Sequence, residues 1–323
     1  MGLLEKLQTL IILSAVVLGL LLGKVNLIEQ HAESFVIPFL FLMLYGLFLK
    51  IPLQQLKKAF SNIKFLGANT IINFIWTPVI AWGLGSIFLS DYPSLWIGFI
   101  MLMVTPCTDW YLAFTGIAKG NVSLSTSILP INLILQVILL PVYLLLFAGT
   151  IETIPIATLV ESILIVLVIP FVLAHLTRFL LRSRKSFLNN KIILFFDNSQ
   201  IFFLSLAIMA MFASQGSYLL ENLEVIYILI FPVLSFFVIN YVVGRFVGRF
   251  LKFSYEDTVS LNMTIIARNS PVSLAIAVTA FPDQPLIALA LVIGPLIELP
   301  VLTIVSQALL FTRKKSKNKD YPI

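Results

Sequence analysis

Charge is what this chain of 323 residues has least of: Asp, Glu, Lys and Arg make up 11% of it, against 59% hydrophobic residues and a mean hydropathy of +1.04. So little charge cannot clothe a water-soluble domain, which leaves an integral membrane protein. The one cysteine, Cys107, excludes a disulfide framework and any multi-thiolate metal site within a single chain. Two histidines, His31 and His175, are too few for a transition-metal cage. Because neither lies near Cys107 in the sequence, a cysteine nucleophile would lack its usual base, which argues against an enzyme. The chain has no glycine-rich nucleotide-binding loop, so an ATP-driven pump finds no support and no cofactor is expected. It also has no small-residue cleavage site after the first apolar run, which therefore reads as a retained span.

What is present is a series of long apolar runs. Barrel strands would alternate in segments of about ten residues, whereas a helical span needs ~20 apolar residues, and these runs say helices. Charge-poor stretches place ten spans at roughly 7–25, 34–49, 65–90, 92–118, 122–149, 153–177, 192–220, 225–244, 258–282 and 284–312. An even number puts both termini on one side. Nineteen of the 21 basic residues fall at the N-terminus, in or beside the even-numbered loops, or in the tail, so both termini are expected in the cytoplasm of a plasma-membrane protein. The net charge of +6 is then a topology signal, and the basic run Arg313–Lys319 reads as an anchor at the lipid surface, with no nucleic-acid partner.

Two spans are interrupted near their midpoints. Pro106 lacks an amide donor and must open the fourth span, beside the polar trio Cys107, Thr108 and Asp109. Pro271, in Ala267-Arg-Asn-Ser-Pro271, repeats the device 165 residues later. Asn132 follows the first proline by 26 residues and Glu298 follows the second by 27, each on the next span. Five spans per half is an odd number, so the second half would run through the membrane inverted. The expected fold is thus an all-α polytopic membrane protein of ten transmembrane helices: a first five-span repeat at 1–149, an inverted repeat at 150–312, and a basic cytoplasmic tail at 313–323. Inverted repeats with paired broken helices mark secondary transporters, with the site where the breaks meet.

Within spans, Asp109, Glu161, Asp197, Arg268 and Glu298 are charged, at a cost of about 2.5–3.5 kcal/mol each on insertion scales. Glu161 reads as interfacial. Asp197, about a turn and a half from Lys191, reads equally as half of a structural pair on the cytoplasmic side. Asp109, Arg268 and Glu298 lie deeper, and Asp109 and Arg268 stand three residues from their prolines in opposite senses, as an inverted, mutually neutralising pair would. Free amides where the second half-helix starts near Cys107 would favour a thiolate or an anion. Asn269 and Ser270 are cap-type residues opening the matching half-helix. The four tryptophans read as packing and interface anchors.

Several segments together resemble one family: Asn73-Phe-Ile-Trp-Thr-Pro78, Cys107 thirteen residues before Gly120, Leu274-Ala-Ile-Ala277, and Val292-Ile-Gly-Pro-Leu-Ile-Glu-Leu-Pro-Val-Leu302. The chain resembles the arsenical-resistance arsenite permeases, which belong with the bile acid:sodium symporters. Ala118-Lys-Gly-Asn-Val122 looks like the segment closing the broken fourth span in that wider group. The resemblance implies a panel domain, a core domain with crossed broken helices, and efflux of arsenite or antimonite against an inward proton flow. Two positions depart from the permease pattern: Pro106 stands where an arginine is usual, and Ser273 where a glutamate is. A cationic Arg268 near the crossing would itself take the place of a sodium ion, which favours proton coupling, or transport without sodium, over the sodium coupling of the wider group. Two readings remain open. In one, Cys107 ligates trivalent arsenic, Asp109 or Glu298 carries the proton, and Asn132 and Asn269 line the site. In the other, Arg268 and the two helix N-termini bind a small organic anion, and Cys107 is packing.

Overall fold

The structure is a computed structural model that describes residues 3–50, 60–108, 110–147, 156–221 and 224–319. Among them every regular element is a helix, and the β-type pairing is an isolated antiparallel bridge between Pro106 and Arg268. In chain order the helices are α1 (Leu3–Leu22), α2 (Asn26–Lys50), α3 (Ile63–Phe88), α4 (Pro93–Met103), α5 (Trp110–Ile117) and α6 (Val122–Leu146). They continue with α7 (156–180), α8 (185–221), α9 (Glu224–Phe250), α10 (Tyr255–Ile266), α11 (Ser270–Ala280) and α12 (Pro285–Lys319). Seven of these are long and apolar enough to cross a membrane, which makes the chain a multi-pass membrane protein. Helix α1, 20 residues long, covers most of the first expected span, whereas the fourth and ninth fall on shorter apolar stretches, Pro93–Met103 and Ser270–Ala280. The tenth helix was expected to end at 312 but continues to Lys319, so the start of the basic tail is helical.

The chain folds into two interleaved compact units, so neither unit is a sequential half. The first comprises 1–51, 152–227 and 271–292. Inside it Gly19 of α1 and Gly23, the residue just past its end, lie against Met209 and Ala213 of α8; an added Cβ would come within 2.5 and 2.6 Å of their carbonyl oxygens. Small residues at this spacing are what let membrane helices approach closely, since lipid supplies no hydrophobic drive between them. Lys50, at the end of α2, makes a 2.6 Å ion pair to Asp197 of α8, in place of the Lys191 pairing expected from sequence. Lys191 instead lies 5.7 Å over the Phe187 ring. Glu161 is exposed, as an interfacial residue would be.

The second unit comprises 52–151, 228–270 and 293–323 and holds most of the buried polar residues. Helix α10 is buried from Thr258 through Ile266. The donors of Thr258, Asn262 and Thr264 are satisfied there, each bonding to the carbonyl four residues back. Gly244 and Gly248 of α9 make room for it, with Asn262 and Thr258 filling the space each missing Cβ would take. The Ala-Lys-Gly-Asn turn also docks on α10: Asn121 caps α6 by accepting from Leu124 N (3.1 Å), while its own amide and side chain donate to Glu256 O (3.1 Å) and Asp257 Oδ1 (2.9 Å). Gly120 is required there, because a Cβ would stand 2.6 Å from Val259.

Candidate functional site

Helix α4 stops at Met103 and α10 at Ile266, and the extended residues that follow each stop pair with one another. Asn269 N donates to Thr105 O (2.7 Å) and Cys107 N donates to Ala267 O (3.0 Å). Two interrupted helices thus satisfy each other's freed backbone groups, as a break in an apolar surrounding demands. Thr105, fully buried, adds its hydroxyl to the carbonyls of Met101, Leu102 and Asn269. This pairing corrects one expectation. The Cys107 amide donates to Ala267 O, so Cys107 itself does not present a free amide to a ligand.

Arg268 is 2% exposed and is the largest fully buried side chain. Its guanidinium donates from Nε to Ile266 O (3.1 Å), from Nη1 to Met103 O (2.8 Å), and from Nη2 to Asn73 Oδ1 (3.1 Å) and to Ile265 O. The Phe236 ring covers it at 5.1 Å. The main-chain amide of Arg268 donates to Glu298 Oε1 (2.9 Å), so the carboxylate, 3% exposed, sits at the break itself. The expected partner of Arg268, Asp109, lies outside the described residues. Thr108, Asn269 and Ser270 are buried beside the bridge at 3, 4 and 3% exposure, and Cys107 is 4% exposed.

Asn132, fully buried, reaches this group through two amides that sequence reasoning did not single out as site residues. Asn73 Nδ2 donates to Asn69 Oδ1 (3.0 Å), and Asn69 Nδ2 donates to Asn132 Oδ1 (2.7 Å). A signal for them was available: Asn69, Asn73 and Thr77 recur every four residues in an apolar span, one polar stripe on one helix face. A π-turn at Ile72–Trp76 lies within the stripe. The carbonyls of Met103, Ile265 and Ile266 had no such signal, since every residue carries one. Among the described residues no three of His, Cys, Asp and Glu gather as a metal site.

The match to the model of the Sodium Bile acid symporter family covers residues 37–222, more than half of the chain. The chain belongs to that family. As a member of the sodium bile acid symporter family it is a membrane transporter and not an enzyme. It is similar along nearly its whole length to the arsenical-resistance protein Acr3 of Corynebacterium glutamicum, at 24% identity over 97% of this chain and 90% of the relative. Acr3 of Alkaliphilus metalliredigens is likewise 24% identical, over 93% of this chain and 90% of its own length. A transporter of Synechocystis, slr0944, is 26% identical over 94% of this chain and 87% of its own.

Proposed function

We propose that this transporter exports trivalent arsenic across the plasma membrane in exchange for inward-moving protons. One observation carries the reading: the chain's single thiol and a buried carboxylate flank the same two residues. Ala267 O accepts from Cys107 N, and Arg268 N donates to Glu298. Cys107 supplies the soft sulfur that trivalent arsenic prefers. Arsenic trihydroxide exchanges one hydroxide, together with the thiol proton, for a single As–S bond and releases one water. A single bond of this kind holds the cargo reversibly, as transport requires. Glu298 takes up and releases the counter-moving proton a few residues away, and Asp109, Thr108, Asn132, Asn269 and Ser270 complete the polar lining. The relatives named for arsenical resistance support the substrate class. The reading keeps the ten-span inverted-repeat architecture, in which the two breaks are matched elements.

Two features of Arg268 weigh on the coupling ion and on the organic-anion alternative. Four oxygens, three of them main-chain carbonyls, surround its guanidinium, an arrangement a hard cation such as sodium would favour. The protein's own cation fills that cage, which supports transport independent of sodium. The same donors are engaged inside the protein at 2% exposure, which removes the main group an organic carboxylate would need.

The test is arsenite uptake into everted vesicles under an imposed pH gradient. Wild-type protein should accumulate arsenite, an uncoupler should abolish accumulation, and replacing sodium by choline should leave it unchanged. Cys107→Ser should lose accumulation at equal expression, and Glu298→Gln should lose its dependence on the pH gradient. Absence of arsenite uptake by folded wild-type protein, with uptake of a carboxylate in its place, would overturn the reading.

A further inference from the structure

Arginine carries five donors and no acceptor. Asn73 must therefore turn its oxygen to Arg268 Nη2 (3.1 Å), which leaves its Nδ2 facing Asn69 Oδ1 (3.0 Å). Asn69 is oriented in turn and gives its Nδ2 to Asn132 Oδ1 (2.7 Å). The guanidinium thus fixes three successive side-chain amides in one sense, each polarising the next. The relay lies wholly within the second compact unit and ends on Asn132 Nδ2, a fully buried donor with no hydrogen-bond partner in the structure. One turn further along α6, on the same face, Gln136 is also fully buried, and neither its Nε2 nor its Oε1 has a partner.

We propose that Asn132 and Gln136 form a binding site for a hydroxyl oxygen, whose donor end is held in place by the charge of Arg268. The chemistry follows from the orientation. Asn132 is obliged to donate, so the ligand atom must accept; Gln136 then has an oxygen that needs a donor and a nitrogen that needs an acceptor. A hydroxyl both accepts and donates, and so satisfies Asn132 and Gln136 together. A carboxylate only accepts and would leave the Gln136 oxygen unpaired. The hydroxyl belongs either to water or to a small neutral polyhydroxy solute. Arsenic trihydroxide is such a solute, and that source alone rests on the efflux reading above.

Gln136→Met keeps the length and bulk of the side chain while removing both polar atoms, and therefore tests the site without opening a cavity. High-resolution cryo-EM density is compared for wild type and variant, with and without arsenite, together with transport kinetics. If the hydroxyl is the substrate's, density bridges Asn132 and Gln136 only with arsenite. Gln136→Met then raises KM about tenfold at unchanged maximal rate, the loss of one hydrogen bond. If it is water, density is present without arsenite, disappears in Gln136→Met, and KM stays as in wild type. The density comparison stands even if arsenite proves not to be the substrate, so failure of the efflux reading and failure of the site are distinguishable. No density between the two residues in wild type under either condition, with KM unchanged in the variant, would overturn the site.

Discussion

At Arg268 the protein keeps a full positive charge among main-chain carbonyls, with the Glu298 carboxylate on the same residue's amide. Both groups are nearly sealed from solvent, so each makes the other tolerable, and removing one leaves an uncompensated buried charge. Arg268→Gln and Glu298→Gln should each cost on the order of 3 kcal/mol, read as a lower melting temperature of the detergent-purified protein. The double variant should lose less than the two single losses together. Losses that add to within about 0.5 kcal/mol would mean the two residues act independently. Arg268→Lys should be almost as damaging as Arg268→Gln, because one ammonium cannot reproduce a planar fork held by four oxygens. Sequence made Arg268 and Glu298 conspicuous because a charge inside an apolar run has few harmless explanations. It singled out none of Asn69, Asn73 and Gln136 as a site residue, although Asn73 opens one of the family-like segments, since neutral amides are cheaper to bury and the bonds that align them come from separate helices.

Proline sets the behaviour of the elements. Pro78 removes the amide that would have paired with Phe74 O, four residues earlier in α3. Thr77 N instead reaches back five residues to Ile72 O, forming the π-turn, and Tyr143 Oη of α6 donates to the orphaned Phe74 carbonyl at 2.6 Å. Tyr143→Phe should strand that carbonyl in a buried position and lower stability by about 1–3 kcal/mol, measured by thermal unfolding. A melting temperature equal to wild type would show that the carbonyl finds another partner. The prolines at 106 and 271 were legible as breaks from sequence. That the two breaks would pair through Asn269–Thr105 and Cys107–Ala267 was not, because backbone pairing between segments so distant leaves no pattern in side chains. The Ala-Lys-Gly-Asn turn is specified by similar chemistry. Asn121→Ala should cost about 1 kcal/mol for the lost cap alone. Asn121→Asp keeps the cap but sets a second carboxylate against Asp257, so adding Asp257→Asn should restore much of the stability. Failure of that rescue would remove the contact from the account of why the turn is built this way.

For the whole molecule, apolar run length conveyed the helical membrane class, while the two interleaved units depend on contacts between segments far apart in sequence and could not be read from it. Orientation rests on charge alone. On the proposed ten-span topology, nineteen of 21 basic residues would lie on the cytoplasmic side, and translocating each Lys or Arg would be opposed by the insertion machinery and the membrane potential. If α4 with α5, and α10 with α11, each cross the bilayer once, the turns at 89–92 and 281–284 face outward and the turn at 181–184 faces the cytoplasm. The chain suits the measurement because its only native thiol, Cys107, is 4% exposed and would stay dark to a bulky reagent. Single substitutions Asp91→Cys, Asp283→Cys and Arg184→Cys, all at exposed positions, report the three turns. A membrane-impermeant maleimide should label the first two on intact cells and the third only after permeabilisation. Labelling of Arg184→Cys on intact cells would invert the assignment, and with it the direction in which the proposed proton-coupled export runs. Labelling of Asp91→Cys and Asp283→Cys on opposite sides would mean that an odd number of crossings separates them, and the matched inversion of the two broken spans would fall with it.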